Sequence, residues 1–536
     1  MHRRSRTVVI GIAALSTVLL VAGCSGQPAD GEPTGDTDYV SGGTAIIAIN
    51  ADPGSINPLA ANATTASYTV WGLAYDTLTI ASTASSEPLP NLAESWDVTA
   101  DTATFKIRDG IVCSDDSDVT PSVIAKSFDW VLNPDNASPW FGAFVPPGST
   151  VTADDEAGTL TIQSPTPSSF LLKNLSGMPI VCGAGADDLS LTDDATFGSG
   201  MFELSQATPG QSYKFDLRPE YAWGPGDITA KDPGVPEAVE LSVVPNESTA
   251  ANLLLAGDVT IASIGGSDRD RLDSQSYFSV EYPNDPGLVF FNQVEGRATA
   301  DLAVRKALSQ ALNLDDLGNI ATGGRGEPLQ TIVTGIPQTC SPETPISDFA
   351  PEFDADAAAA ALDKAGWVEG SNGVREKDGV PLALNLLFPS NRGPGIPAAM
   401  EAIQTAWTEL GVDVTLTGSD AYAGTLFSGG DWDAVWGPFA TEDPSVWRIL
   451  LSGDAPPAGR NFSSSNNVEY TELVAKAQSL PGSESCQTWL EAEQSLAKNV
   501  DVLPVTANTK TAYGDNAEFA LRNPGAVLGS TIRLTK

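Results

Sequence analysis

Hydrophobic and polar residues alternate in two short runs in the first quarter of the chain. Trp96 and Val98 are separated by one polar residue in the first run, and Phe105 and Ile107 are separated by one in the second. Because successive side chains of a strand point to opposite faces, this spacing predicts two strands that pair across a turn at residues 99–102.

A helix is predicted shortly after this hairpin. Thr120 offers a side-chain oxygen for capping, and Pro121 suits the first helical position because an N–H is not needed there. The apolar residues that mark one face of the helix are Val123, Ile124, Phe128 and Val131.

The C-terminal half alternates between strand and helix patterns. Residues 382–387 and 412–416 have strand patterns, and residues 396–410 between them have a helical one. This order is typical of a βαβ unit and predicts an α/β fold. Residues 301–312 form an amphipathic helix pattern, in which Arg305 is expected to make a structural ion pair rather than a ligand contact.

Length and charge narrow the class of protein. With 536 residues, of which 41% are hydrophobic, the chain is long enough for two or three domains with a sizeable core. Its 68 acidic and 28 basic residues leave a formal net charge of −40. Such a surface favours solubility and repels nucleic acid and anionic membranes, so we expect no nucleic-acid partner.

The N-terminus has the pattern of a targeting segment. Three arginines within the first six residues precede an apolar stretch at residues 8–21, which is too short to span a membrane comfortably. The stretch ends in Val21-Ala22-Gly23-Cys24, which resembles a bacterial lipobox. We predict a lipoprotein signal peptide at residues 1–23, lipidation of Cys24 and a flexible tether at residues 24–40. Ordinary secretion with a chance cysteine is the alternative.

Removal of the signal peptide would also remove His2, which is the only histidine. A mature chain without histidine excludes Ser-His-Asp and Cys-His nucleophilic sites and imidazole metal ligands. The four cysteines that follow Cys24 show no metal-binding spacing, so we expect no metal site. Their even number in an exported protein favours two disulfides, for which three connectivities are possible.

Several short motifs follow one another in and after the predicted hairpin. They are LAESW at residues 92–96, FKIRDG at residues 105–110 and SD at residues 114–115. In this order they resemble the hallmark block of the family 5 extracytoplasmic solute-binding proteins, which are the peptide, nickel and opine receptors of ABC importers. Asp116 stands where that family usually has glycine. Further matching motifs extend the resemblance over nearly all of the mature chain.

The resemblance implies an α/β, two-lobe periplasmic-binding-protein-like fold of type II, cluster C, with an extra subdomain in the first lobe. The expected parts are residues 41–86, 201–292 and 505–536 for the first lobe, 87–200 for the subdomain and 293–504 for the second lobe. In this arrangement Cys113–Cys182 and Cys340–Cys486 are the favoured disulfides, because each pair then lies inside one lobe.

The function implied by the resemblance is capture of a small solute between the lobes and delivery to the permease of an ABC importer. The implied protein is an extracytoplasmic monomer, held to the outer face of the cell membrane by its lipid, with no cofactor and no catalytic activity. The alternatives are an extracellular hydrolase, which the missing histidine disfavours, and a surface adhesion or structural protein, which the absence of repeats disfavours. The residues that the resemblance places in the ligand cleft are Asn62, Thr64, Ser263, Ile264, Trp436, Gly437 and Phe439.

The resemblance also bears on the solute, for which peptides, opines, oligosaccharides and metal chelates all occur in the family. Its peptide receptors pair an Asp a few residues past the Trp-bearing strand with the α-ammonium of the peptide. Phe439 stands about where that Asp would be, and the first carboxylates follow at Glu442 and Asp443. A buried ammonium without a carboxylate is costly, so we expect a neutral or apolar-faced solute, such as an oligosaccharide or a blocked peptide. If the alignment with the peptide receptors is shifted by three residues, Glu442 takes the place of that Asp, and free peptides are again the expected solute.

Overall fold

The structure is a computed structural model that describes residues 38–61, 64–83, 85–441 and 443–536. The predicted signal peptide, Cys24 and most of the predicted tether lie outside these ranges. Strands and helices are numbered separately in chain order.

The first elements belong to the first lobe and to a small subdomain within it. They are β1 (Thr44–Ile49), α1 (Thr65–Ala74), β2 (Thr79–Ser82), β3 (Ser85–Pro90), β4 (Ala93–Val98), β5 (Thr102–Ile107), α2 (Pro121–Leu132), β6 (Thr150–Asp154), β7 (Thr159–Gln163), α3 (Leu171–Ser176) and α4 (Gly183–Asp187). The chain then returns to the main sheet of this lobe through β8 (Phe202–Thr208), β9 (Ser212–Leu217), β10 (Ala238–Val243), α5 (Glu247–Ala256), β11 (Ile261–Ile264), α6 (Arg269–Leu272) and β12 (Phe278–Phe291).

The following elements build the second lobe. They are α7 (Leu302–Gln310), α8 (Leu314–Thr322), α9 (Ala355–Lys364), β13 (Val368–Glu369), β14 (Arg375–Lys377), β15 (Val380–Pro381), β16 (Ala383–Phe388), α10 (Gly395–Glu409), β17 (Asp413–Gly418), α11 (Tyr422–Phe427), β18 (Ala434–Trp436), α12 (Pro444–Leu451), α13 (Val468–Gln478) and α14 (Cys486–Lys498). The chain leads back to the first lobe through β19 (Val502–Gly514), β20 (Ala517–Glu518), β21 (Leu521–Arg522), β22 (Ala526–Val527) and β23 (Arg533–Leu534).

The main sheet connects the two lobes. Its strand order is β17-β16-β18-β12-β19-β11-β1-β10-β9-β8. The long strands β12 and β19 pair antiparallel, with Phe278 opposite Gly514 at one end and Phe290 opposite Val502 at the other. β19 also pairs with β11 of the first lobe, and β12 pairs with β18 of the second. The structure thus confirms the expectation of two lobes joined by paired strands.

The subdomain contains the predicted hairpin and helix. β4 and β5 pair with Trp96 opposite Phe105, and the amide of Thr99 donates to the carbonyl of Thr102 across the turn. α2 begins at Pro121, and the Thr120 side chain accepts a hydrogen bond from the Val123 amide. α2 packs against β6 and β7, which complete the four-stranded sheet β4-β5-β7-β6.

Asp116 keeps the turn that glycine makes in the resembling family. Its φ is 63°, in the left-handed region that glycine adopts most readily and that aspartate tolerates. The neighbouring Asp115 holds the turn, because its carboxylate accepts hydrogen bonds from the amides of Ser117 and Ala184. The turn is therefore formed without the glycine.

Both favoured disulfides are present, Cys113–Cys182 in the subdomain and Cys340–Cys486 in the second lobe. Arg305 is almost fully buried and lies 3.8 Å from the carboxylate of Asp501. Its guanidinium also donates to the carbonyls of Thr299 and Val500 at 3.0 Å each. The predicted structural ion pair is confirmed.

The helix α1 ends just before a buried carboxyl group, that of Asp76. Tyr75 is already extended, with φ −126° and ψ 136°. The extended backbone turns Asp76 into the protein, where four side chains donate hydrogen bonds to its carboxylate. This tertiary network ends the helix at Ala74.

The hydrophobic core of the second lobe lies on both faces of the sheet. Val289 and Phe291 of β12 belong to one cluster, whereas Leu288 and Phe290 belong to another. This division follows from the alternation of side chains along a strand. A separate, larger cluster fills the first lobe and its subdomain.

Candidate ligand-binding site

A cavity of about 670 Å³ lies between the subdomain and the second lobe. On the first-lobe side it is lined by residues of β2, β3, β4 and α3 and by Tyr68 of α1. Residues 336–339 and 481–484 line it from the second lobe, and we call these two segments the second-lobe wall. Arg522 and Asn523 contribute from the C-terminal part of the chain.

Apolar side chains face the cavity from both sides. They are Ile80, Pro88, Trp96, Leu172 and Pro337. Trp96 is half-buried, since its strand β4 lies at the edge of the subdomain sheet. The indole therefore offers a broad apolar surface next to open space, which suits contact with an apolar or aromatic part of a solute.

Basic side chains occupy the more buried part of the lining. The guanidinium of Arg522 lies over the ring of Tyr68 at 5.6 Å from its centroid, and it donates to the carbonyl of Gly177 at 3.3 Å. The ammonium of Lys173 lies 2.5 Å from the hydroxyl oxygen of Thr339 in the second-lobe wall. Lys173 thus connects the two sides of the cavity.

Acidic side chains of the lining are more exposed than the basic ones. Arg522 is buried and Lys173 is half-buried, whereas the exposed acidic residues are Glu87, Asp97 and Glu484. The cavity therefore combines apolar walls with charged groups of both signs. Such a lining is suited to an amphipathic solute with polar ends.

Ser176 adds an uncommitted polar group. It is 4% exposed and lines the cavity, and its hydroxyl has no hydrogen-bond partner among the described residues. A buried hydroxyl without a partner costs free energy.

The site residues expected in the first lobe lie away from this cavity, and Asn62 is outside the described residues. Thr64 caps α1, where its hydroxyl accepts a hydrogen bond from the Ser67 amide at 3.1 Å. Ser263 and Ile264 lie in β11, which is paired with β19, and Ile264 is fully buried.

The expected residues of the second lobe lie in its core. Trp436 is buried and pairs with Val289, and the Gly437 amide donates to the carbonyl of Leu288. Phe439 is half-buried in a cluster of aromatic rings with Phe290, Tyr422, Trp447 and Phe462. None of these expected residues that the structure describes lines the cavity.

The second-lobe wall was missed in the sequence, although a signal for it was present. Cys340 and Cys486 follow closely after Pro337 and Pro481, and the disulfide brings the two proline-containing segments together. A long-range disulfide next to two irregular segments indicates that the two segments lie side by side. Its position against the subdomain could not be deduced without the fold.

Glu493 of α14 is a buried carboxyl group beneath the chain that leads to this wall. Its Oε2 accepts hydrogen bonds from the Thr331 hydroxyl at 2.6 Å and the Ile332 amide at 3.2 Å. Its Oε1 has no partner among the described residues, and the hydroxyl of Tyr470 nearby has none either. Burial raises the pKa of Glu493 to about 7 from its ordinary 4.5.

We expect Glu493→Gln to become progressively more stable than the parent as the pH rises from 4.5 to 7. The raised pKa means that the parent protein loses stability over this window, because the unfolded state releases the Glu493 proton from about pH 4.5 whereas the folded state keeps it until about pH 7. The difference between the variants should grow by about 3 kcal/mol across the window. Chemical unfolding at several pH values measures it, and Glu472→Gln, an exposed position on α13, controls for the removal of one charge. A difference that is flat with pH would contradict the assignment.

A sequence profile shows the family to which this chain belongs. The profile of the bacterial extracellular solute-binding proteins, family 5 Middle, matches residues 87–456, which is more than half of the chain. The chain belongs to this family. Its members are solute-binding proteins of ABC importers that act outside the cytoplasm.

Individual proteins support the same assignment. The chain is 24% identical to protein XP55 of Streptomyces lividans over 413 residues, which are 73% of this chain and 69% of that protein. It is 28% identical, with a TM-score of 0.72, to a substrate binding protein from Microbacterium hydrocarbonoxydans complexed with 4-hydroxybenzoate hydrazide, covering 92% of this chain and 100% of that one.

A peptide-bound structure has the same fold. The oligopeptide-binding protein AppA from Bacillus subtilis, in complex with a nonapeptide, is 18% identical with a TM-score of 0.69, covering 93% of this chain and 100% of AppA. The solute-binding protein therefore has the two-lobe α/β fold of type II periplasmic binding proteins. In the described part of its chain, no helix has the length and apolarity needed to cross a membrane.

Proposed function

We propose that this solute-binding protein captures a small amphipathic solute in the cavity between the subdomain and the second-lobe wall, and presents it to the permease of an ABC importer. The observation that supports the proposal is the cavity of about 670 Å³ with apolar walls and charged groups of both signs. The protein acts as a monomer, needs no cofactor and carries out no reaction on the solute.

Peptides and small aromatic acyl compounds are the solute classes that we place first. Trp96 offers a stacking surface, and the nearby polar groups Lys173, Arg522 and Ser176 suit acyl or carboxyl oxygens. Two structural relatives carry ligands of these classes, a nonapeptide and 4-hydroxybenzoate hydrazide. A non-peptide solute such as an oligosaccharide or an opine is the second candidate, supported by the mixture of apolar and polar side chains that line the cavity.

The first experiment identifies the solute on a chain that lacks residues 1–24. Native mass spectrometry of the gently purified protein should show one small molecule per monomer. Calorimetry should then compare three probes, namely free tripeptides, N-acetylated tripeptides and 4-hydroxybenzoate hydrazide. Saturable one-to-one binding of any of these without turnover supports the proposal, and the comparison of acetylated with free peptides shows whether the site accepts a free α-ammonium.

A matched pair of variants tests the site itself. Trp96→Ala should weaken binding roughly tenfold or more, because truncation of a buried aromatic contact costs more than about 1.4 kcal/mol. Trp130→Ala removes a half-buried indole from α2, outside this cavity, and should leave the affinity unchanged. Equal affinities for the parent protein and Trp96→Ala would place the solute elsewhere.

Cys24 is the proposed lipid attachment site, although it lies outside the described residues. The basic start, the apolar stretch and Val21-Ala22-Gly23-Cys24 support this proposal. In a bacterial host, Cys24→Ala should release the protein from the membrane fraction. Intact-mass analysis of the parent protein provides the check, because a mature chain without a lipid mass increment, found only in the medium, would refute lipidation.

A further inference from the structure

Ser169 of the subdomain makes hydrogen bonds to residues of the second lobe. The hydroxyl of Ser169 donates to the carbonyl of Ala477 at 2.8 Å and accepts a hydrogen bond from the indole Nε1 of Trp489 at 3.0 Å. The carbonyl of Ser169 accepts a hydrogen bond from the Gly482 amide at 2.6 Å. Three hydrogen bonds therefore join the lobes at a single position that is separate from the pairing of β12 with β19.

The next residue, Phe170, belongs to the core of the second lobe. It is 5% exposed, and its ring centroid lies 6.3 Å from that of Trp489 with an angle of 35° between the planes. Leu171, which follows directly, packs instead into the core of the first lobe. The chain thus crosses from one hydrophobic core to the other between two consecutive residues.

The second lobe makes the reverse insertion from its own wall. Ile336 is buried in the hydrophobic cluster of the first lobe, and its amide donates to the side-chain oxygen of Asn523 at 3.3 Å. Each lobe therefore buries an apolar side chain of the other at the border of the cavity. Both insertions must be withdrawn before the lobes can separate.

A disulfide and backbone hydrogen bonds fix the two surfaces that meet here, namely the second-lobe wall and the subdomain segment with Ser169 and Phe170. The Cys340–Cys486 disulfide joins the two segments of the second-lobe wall, directly beside Thr339, which contacts Lys173. On the other side, the amides of Ser164 and Ser168 donate to the carbonyls of Asp101 and Ala100 in the β4–β5 turn at 2.7 Å each. Neither of these two surfaces is therefore a free loop.

We propose that Ser169 and Phe170 are positioning residues that hold the two lobes closed over the cavity, and that the disulfide-bonded second-lobe wall is the surface that receives them. We call this contact the clasp. It acts on the equilibrium between open and closed forms, whereas β12 and β19 connect the lobes in both forms. The clasp consists of contacts within the protein alone, so it can be tested even if the proposed solute classes are wrong.

The test compares clasp variants with matched controls in the unlipidated protein, purified by unfolding and refolding so that no solute remains. Phe170→Ala and Ser169→Ala should increase the radius of gyration measured by small-angle X-ray scattering. Hydrogen exchange at the Gly482 amide should become roughly tenfold faster or more, because its acceptor withdraws with the subdomain. Phe144→Ala, whose ring packs on Trp140 within the subdomain, should change neither quantity.

The two disulfides provide a second matched pair. Cys340→Ser/Cys486→Ser should open the protein in the same way, whereas Cys113→Ser/Cys182→Ser, which removes the subdomain disulfide, should leave the scattering curve and Gly482 exchange unchanged. Should Phe170→Ala fail to fold, Ser169→Ala and the disulfide pair carry the test. The proposal is overturned if Gly482 already exchanges rapidly in the parent protein, or if the clasp variants and the controls behave alike.

Discussion

Asp76→Ala is expected to lower the free energy of unfolding by about 3–5 kcal/mol, because it leaves several buried donors without an acceptor. The Asp76 carboxylate is buried and accepts hydrogen bonds on both oxygens. Asn91 and the Tyr221 hydroxyl donate to Oδ1, at 3.3 and 3.2 Å. Ser199 and the Trp223 indole donate to Oδ2, at 3.0 and 2.9 Å.

The geometry also predicts that Asp76→Asn keeps more stability than Asp76→Ala. Trp223 offers a fixed N–H donor to Oδ2, whereas the Asn91 amide beside Oδ1 can flip and present its own oxygen, which has no partner among the described residues. An asparagine with its oxygen towards Trp223 and its NH₂ group towards Asn91 therefore meets an acceptor on one side and a donor on the other. Urea unfolding measures both variants, and Asp258→Ala, at an exposed position, should stay within about 0.5 kcal/mol of the parent. A loss of less than about 1 kcal/mol in Asp76→Ala would contradict this role.

Gly200→Ala is expected to cost about 3 kcal/mol, at the upper end of what overpacking produces. A Cβ at this position would lie 2.4 Å from the carbonyl carbon of Ala74 and 2.6 Å from the carbonyl oxygen of Leu73. Both atoms belong to the backbone of α1, so no side-chain rotation relieves the clash. The Gly200 amide also donates to the Ala74 carbonyl at 3.0 Å, which holds the two segments at this distance.

Gly424→Ala is the matched control for this variant. Gly424 lies in α11, and nothing comes within 4 Å of a Cβ built on it. This substitution should stabilise the protein by about 0.5–1 kcal/mol, since alanine restricts the unfolded chain and favours helix. Thermal unfolding of both variants should therefore move in opposite directions. A neutral Gly200→Ala would show that α1 can move away from the segment that follows the subdomain.

Local elements could be predicted where two independent signals agreed. Period-two alternation and a polar turn predicted β4 and β5, and a capping threonine with a following proline predicted the start of α2 at Pro121. The matched motifs around this hairpin predicted the family, and the lobe arrangement implied by that family predicted both disulfides.

For residues whose role depends on distant partners, the sequence shows the type of residue but not its role. Asp76 is one of 68 acidic residues in the sequence, and its donors come from residues 91, 199, 221 and 223. The family resemblance placed Phe439 in the ligand cleft, whereas in the structure its ring lies among the rings of the second-lobe core. Composition and spacing do not distinguish these environments, because both bury an aromatic ring.

By itself, the sequence determined most local elements, because propensity, periodicity and capping act between residues close in the chain, and its motifs determined the family and with it the class of fold. Only the tertiary structure decided where the cavity lies and how it closes. Its lining joins Tyr68, Trp96, Lys173, Pro337 and Arg522, which are separated by tens to hundreds of positions. The contact of Phe170 with Trp489 likewise spans two lobes. No local pattern records such distances, since they follow from how the completed elements pack against one another.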